Sequence, residues 1–340
     1  MTESQLLIEL HNNPFLLAPM AGITDSVFRS FMRQQGAGIL ISELISAQAL
    51  VHKSEKTRAL MSFLEEERPV GIQIFGEDES CLVYAAQCVE EMGADFVDLN
   101  LGCPVKKVVK KGAGSALLKE PKRLAQILRA IKKNIQIPLT IKIRTGWDHD
   151  SRNTHEIVSL AYNEGVTWVA IHGRTRSQAY SGLADWQYIA EVKAQSPLPI
   201  IGNGDLTSAE RAVGRLQSSG CDGVMIGRGC LKNPWIFQEA KSLNMSGQVV
   251  EVEKNYLALF EDLRQRGLDR MDEKALTLLF RKLAIWFSSG LPGSSDFRRA
   301  IFTARGFDET YQRIEDYYHG AMLWQQADTS HEAFLMGGHG

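Results

Sequence analysis

Residues 139–144 read Leu139-Thr140-Ile141-Lys142-Ile143-Arg144. Polar and apolar residues alternate over a length typical of a strand. Side chains alternate across a strand, so Lys142 and Arg144 share one face and Ile141 and Ile143 the other. Seven runs of similar length lie around it: FLLAPM (15–20), ILISEL (39–44), VGIQIF (70–75), FVDLNL (96–101), WVAIHG (168–173), PIIGNG (199–204) and GVMIGRG (223–229). Successive starts are about 24–43 residues apart, roughly one β-α unit.

Helical patterns fill the gaps. Thr24-Asp25 is placed to cap SVFRSFMRQQ, which stops at Gly36. ESCLVYAAQCVEEM stops at Gly93, and PKRLAQILRAIKKN carries Pro121 at a first-turn position. Thr207-Ser208-Ala209-Glu210 matches a capping box. Strict alternation of strand and helix implies a parallel sheet covered by helices. Eight units point to a closed (β/α)₈ barrel, the TIM-barrel architecture. A six-stranded doubly wound sheet would leave two units over, and no G-x-G-x-x-G follows the first strand.

The reading assigns residues 1–240 to the barrel. Four helical segments follow within 245–325: EKNYLALFEDLRQRG, DEKALTLLFRKLAIWFSSG, DFRRAIFTARGF and DETYQRIEDYYHGAMLWQQ. Gly267, Gly290-Leu291-Pro292-Gly293 and Gly306 mark the breaks between them. They form a small all-helical C-terminal domain, and residues 326–340 are expected to be a flexible tail.

Composition narrows the function classes. The 340 residues are 44% hydrophobic and 23% charged, ordinary for a globular protein. The net charge of −2 confines any nucleic-acid surface to a local patch. Five cysteines, an odd number with no C-x-x-C pair, fit a reducing compartment and offer no metal cluster. Neither a signal-like N-terminus nor a membrane-length apolar run is present, so the cytoplasm is the default address. The sequence is silent on oligomeric state, and a monomer is the default expectation.

Polar residues end almost every strand: Glu43, Gln73, Asp98 and Asn100, Lys142 and Arg144, His172, Asn203, Arg228. A barrel builds its active site at that end. These residues could satisfy one another as a buried network, but burying Lys142 and Arg144 without an anion would cost several kcal/mol each. Gly202-Asn203-Gly204-Asp205 and Gly227-Arg228-Gly229 occupy the positions of the usual phosphate loops after strands 7 and 8. Ordinary turns are the alternative. Cys103, in Asn100-Leu101-Gly102-Cys103-Pro104, sits just past strand 4 beside Lys106, Lys107, Lys110 and Lys111. Nearby cations usually lower a thiol pKa. The lysine run is either a solvated surface or a grip on a phosphate backbone.

Together these stretches resemble the tRNA-dihydrouridine synthase family, most closely its bacterial B-type. The motifs are Ala18 to Asp25 (APMAGITD), Asn100 to Pro104, Lys142 to Trp147 (KIRTGW), His172 to Arg176 (HGRTR), Gly202 to Asp205, and Met225 to Arg228 (MIGR). The resemblance covers about Phe15 to Glu309. It implies bound FMN reduced by NADPH, or by NADH, and a tRNA substrate. It implies Pro19, Met20 and Ala21 against the isoalloxazine, Gln73 and Lys142 at its polar edge, and His172 beside it. Asn203, Gly204, Asp205, Gly227 and Arg228 would surround the FMN phosphate. Asn100, Arg144, Arg174 and Arg176 would face the substrate. Cys103 would protonate C5 of uracil after hydride reaches C6. No DNA, membrane or metal partner is implied.

The helical part would grip the RNA. From Arg264 to Arg313 there are ten Lys or Arg against six Asp or Glu, a local excess of four positive charges. Arg281-Lys282 is followed by Leu283, where B-type members commonly carry His. The rival enzyme is a dihydroorotate dehydrogenase-like FMN oxidoreductase acting on a free pyrimidine, for which the helical extension has no purpose. A non-catalytic tRNA-binding protein and a barrel lyase acting on a sugar phosphate are further alternatives. The modified uridine is expected in the D-loop, at position 17.

Overall fold

The computed structural model describes residues 1–248 and 252–320. Eight parallel strands close into a barrel: β1 (Phe15–Leu17), β2 (Leu40–Ile41), β3 (Val70–Phe75), β4 (Phe96–Leu101), β5 (Leu139–Arg144), β6 (Val169–His172), β7 (Ile200–Asn203) and β8 (Gly223–Ile226). Each pairs with its neighbour, and β8 closes on β1. A two-residue strand, Ile45–Ser46, adds a further pairing to β3. All eight strands start within one residue of the apolar runs; β3, β4 and β5 span theirs in full, and the other five stop one to three residues short, leaving those residues to the mouth loops.

Register sets the site. Gln73 lies opposite Asp98, Asn100 opposite Lys142, Arg144 opposite His172, and His172 opposite Asn203. The two-residue period puts all of them inside the barrel. Ile141 and Ile143 face outward into the helix-covered core, as their spacing requires. Below the polar ring lies a separate apolar interior that includes Leu16, Ile41, Phe96, Trp168, Ile201 and Met225. Phe96 and Trp168 meet edge to face with centroids 5.3 Å apart. The floor is completed by Leu6 and Leu10 of the helix Glu3–Asn12, an element absent from the strand-helix reading.

Asp25 caps the helix Ser26–Gln34 by accepting from the Phe28 N–H. The expected capping box at Thr207 is displaced. Ser208 is the cap of Ala209–Ser219, and the Thr207 hydroxyl is buried without a partner. Starting one residue later places Arg211 rather than a carboxylate at the third helical position.

The C-terminal helices are Tyr256–Leu268, Glu273–Phe287, Ser294–Thr303 and Gly306–Tyr318. They share an aromatic core in which Phe260 meets Phe280, Phe287 and Tyr318. Gly267 lies in the last turn of its helix, just before the break at the C-cap Asp269, and only glycine fits there because a Cβ would come 2.3 Å from Leu276 Cδ1. The helix Ile236–Ser246 crosses residue 240, where the barrel segment was expected to end. The tail at 326–340 lies outside the described residues. The bundle docks beside β1: Arg266 reaches Glu66 at 2.7 Å and Gln34 at 2.6 Å, and Lys282 Nζ donates to the Gly22 carbonyl at 3.3 Å.

Candidate active site

The inward positions at the C-terminal ends of β3 to β8 converge on one mouth. Lys142 Nζ donates to Asn203 Oδ1 at 3.0 Å, and Asn203 Nδ2 donates to the Met225 carbonyl at 2.7 Å. Burial, with Arg144 beside it, pulls Lys142 down to about 8. Burial also lowers Arg144, to about 10.

His172 is buried among Arg144, Lys142, Arg174 and Arg228. Desolvation first, then those cations, hold it well below the ordinary imidazole range, so it is neutral. Arg174 Nη1 lies 3.2 Å from His172 Nε2. A guanidinium only donates, so Nε2 accepts and the ring proton sits on Nδ1.

Arg144 and Arg174 are largely occupied by protein. Arg144 donates to the carbonyls of Gly102 at 2.8 Å, Thr175 at 3.1 Å and Ala179 at 2.7 Å. It thereby ties the Cys103 loop to the loop after β6. Arg174 grips Asp205 through both carboxylate oxygens, at 2.8 and 2.9 Å. Asp205 also accepts from the Ala184 N–H at 2.7 Å, and its backbone sits at φ +54°. Its carboxylate is therefore spent on protein, leaving its backbone for any anion. Arg176 lies outside this ring, 4.5 Å over Trp147, with Lys119 at 4.6 Å from the same ring.

Cys103 is buried, with its N–H donating to Asn100 Oδ1 at 2.9 Å and its carbonyl accepting from Ser115 Oγ at 2.9 Å. Burial pushes its thiol up, opposed by the Val105 backbone N–H and Arg144. The expectation that the lysine run lowers this pKa is reversed. Lys106, Lys107, Lys110 and Lys111 all point into solvent, where water screens them, and desolvation dominates. Gln73 has no accessible surface, and its amide is held between Asp98 and Asn100.

The phosphate-loop residues are brought together. A Cβ on Gly227 would lie 3.5 Å from Ala18 Cβ and 3.8 Å from Met20 Sδ, so the loop carrying Pro19, Met20 and Ala21 meets the turn after β8. A Cβ on Gly229 would come 2.1 Å from the Leu206 carbonyl oxygen, so the two glycine loops pack backbone to backbone. A flavin nucleotide fits this donor set, because desolvated Lys142, Arg144 and Arg228 favour an anion and glycine allows close backbone approach.

Tyr180 escaped the sequence reading. It is 41% exposed, and the Arg228 guanidinium sits 4.6 Å over its ring and that of Arg144 5.6 Å. Its signal was a lone aromatic in the polar stretch after His172, which no periodicity picks out. The expected RNA-gripping cations are partly committed elsewhere: Arg264 to Glu261, Arg266 to Asp262 and Glu66, Arg299 to Asp296, Arg313 to Glu309.

A closed barrel with two glycine loops and a cationic mouth at the C-terminal ends of its strands belongs to the class of barrel proteins that bind an anionic ligand there. The comparisons place it more narrowly. A family model described as dihydrouridine synthase matches residues 16–322, and the chain belongs to that family. It is 36% identical over 326 residues to a protein of Rickettsia prowazekii (strain Madrid E) named probable tRNA-dihydrouridine synthase, covering 93% of this chain and 97% of that one. It is 39% identical over 297 residues to tRNA-dihydrouridine synthase B of Pseudomonas syringae pv. tomato, covering 86% and 87%. Among solved structures, histamine dehydrogenase from Rhizobium sp. 4-9 shares the fold, with a TM-score of 0.54 at 13% identity over 75% of this chain and 49% of that one. Among the described residues no helix is long and apolar enough to cross a membrane, and no His/Cys/Asp/Glu group is placed to hold a metal ion.

Proposed function

We infer that this chain reduces the C5–C6 bond of a D-loop uridine in tRNA, with FMN as its bound cofactor and NADPH as the reductant. The observation that carries this reading is a buried, protonated thiol beside a cationic mouth, in a chain of the dihydrouridine synthase family. When bound, the flavin supplies the hydride that enters uracil C6. Negative charge then develops on C5 and the neighbouring O4, and Cys103 Sγ–H gives its proton to C5 as general acid. Hydride plus proton balances uridine to dihydrouridine, and solvent returns a proton to the thiolate.

The remaining residues hold this arrangement. Burial keeps the thiol protonated at neutral pH, as an acid must be. Lys142 is cationic below about 8 and favours negative charge on the ring edge it meets. Neutral His172 adds no further charge. Asn203, Gly204, Asp205, Gly227 and Arg228 would hold the FMN phosphate. Arg144 orders the Cys103 loop through Gly102. The target base must leave its stack to enter the mouth. The bundle's contact with Gly22, part of the first mouth loop, supports a macromolecular substrate over a free pyrimidine. A cytoplasmic monomer acting at position 17 completes the reading.

The test is tRNA from a strain carrying Cys103→Ala or Cys103→Ser, with dihydrouridine mapped by mass spectrometry. Both variants should bind FMN and lose activity by about 10²-fold or more. Full modification by Cys103→Ala would overturn the assignment.

A further inference from the structure

Asp98 takes no part in the mechanism above, yet it is fully buried on the inward face of β4. Its carboxylate accepts from Thr140 Oγ1 at 2.6 Å and from Gln73 Nε2 at 2.6 Å. Gln73 Oε1 accepts from Asn100 Nδ2 at 2.9 Å. Asn100 Oδ1 accepts from the N–H of Cys103 at 2.9 Å and of Gly102 at 3.3 Å. An unbroken relay thus joins a buried carboxylate to the backbone of the acid-bearing loop.

A primary amide has nearly the same shape when flipped, so its direction must be imposed from outside. Here both ends impose it. A carboxylate oxygen accepts, so Gln73 must turn Nε2 toward Asp98. A backbone N–H donates, so Asn100 must turn Oδ1 toward Cys103. Reversing Gln73 would set oxygen against oxygen at Asp98 and N–H against N–H at Asn100. The two backbone donors fill both lone pairs of Asn100 Oδ1. The capacity left on that side chain is one Nδ2 hydrogen, a donor.

We propose that Asp98 is a positioning residue: its carboxylate sets the direction of the Gln73–Asn100 relay, which steadies the Cys103 loop and leaves Asn100 offering a hydrogen-bond donor to a carbonyl-bearing ring. The ring specificity rests on the pyrimidine reading above, and the control of the loop does not. Burial raises the Asp98 pKa, but a proton taken up there is accommodated. It can sit on Oδ1 toward Thr140, whose hydroxyl then donates to the Val97 carbonyl at 3.3 Å, while Oδ2 still accepts from Gln73. An asparagine at 98 can imitate that state, and an alanine cannot.

The experiment compares holoenzyme with Asp98→Asn and Asp98→Ala. Iodoacetamide labelling of the Cys103 peptide is followed by mass spectrometry, and dihydrouridine formation is followed on an unmodified tRNA transcript. Asp98→Ala leaves a buried amide unpaired and should raise Cys103 labelling and lower kcat, each by about tenfold. Asp98→Asn should stay within about threefold of wild type on both readouts, since it can keep the same hydrogen bonds. If Asp98→Ala does not fold, Gln73→Leu cuts the relay one step later and should raise Cys103 labelling in the same way. Unchanged labelling in a folded Asp98→Ala or Gln73→Leu protein, or an Asp98→Asn protein as reactive as Asp98→Ala, overturns the proposal. Wild-type enzyme that forms no dihydrouridine but keeps this labelling pattern would sink the substrate reading and support the relay.

Discussion

Glu67→Gln is expected to loosen the first mouth loop from a distance. Glu67 and Arg29 have no accessible side-chain surface and pair at 2.7 Å. Glu67 Oε1 also accepts from the Leu64 N–H at 2.9 Å and from Ser26 Oγ. Arg29 in turn donates to the carbonyls of Thr24 at 2.8 Å and Ser62 at 2.7 Å. Thr24 Oγ1 accepts from the Met20 N–H at 3.0 Å, so the pair anchors the loop that carries Pro19, Met20 and Ala21. Glutamine keeps the shape but replaces one acceptor with a donor. Whichever way it turns, its NH₂ faces either the guanidinium or the Leu64 N–H. Breaking a buried pair in this way costs about 3–5 kcal/mol. At about 2.1 cal/mol/K per residue, 340 residues unfold with an entropy near 0.7 kcal/mol/K. The melting temperature should therefore fall by about 4–7 °C. Calorimetry at matched flavin content measures it, and flavin retained through gel filtration should fall in parallel. The double variant Arg29→Met/Glu67→Leu should stay destabilised although it leaves no unpaired buried charge, because the Thr24 and Ser62 carbonyls and the Leu64 N–H lose their partners. A Glu67→Gln protein melting within about 1 °C of wild type would refute this reasoning.

Three further outcomes follow from the geometry. If Lys142 must be cationic, kcat/KM falls as pH rises through about 8, where Lys142 loses its proton. The raised Cys103 thiol stays protonated through that range, so Lys142→Arg should move the alkaline limb upward in a pH–rate profile. Gly229→Ala drives a Cβ toward the Leu206 carbonyl oxygen, a backbone atom that cannot rotate away. It should cost about 1–3 kcal/mol and spread the two glycine loops, read as weaker FMN binding in an equilibrium titration. Replacing Lys106, Lys107, Lys110 and Lys111 with alanine should leave stability within about 0.5 kcal/mol, since all four are exposed. If they hold phosphates, the slope of log affinity for tRNA against log salt should shrink by up to about 3, and an unchanged slope would mark the run as solvated surface.

Periodicity alone determined the barrel. Eight apolar runs with helical patterns between them admit one closed parallel arrangement, and the alternation in LTIKIR by itself dictates which side chains of β5 face inward. The floor helix escaped because Leu6 and Leu10 are only two apolar positions, which acquire meaning when a barrel end lies above them. The list of residues at the mouth was likewise readable, because strand ends in a barrel share one face. Their individual roles were not. Asp205 looked like a phosphate-loop residue, but its carboxylate is taken by Arg174 at 2.8 Å, from a loop 31 residues away. The lysine run looked able to acidify Cys103, yet burial decides that thiol and raises it. Sequence carries the periods of local structure and the kinds of chemistry available. Which donor meets which acceptor, and which charge loses its water, depends on register and packing between segments far apart in the chain, and tertiary structure alone decides those.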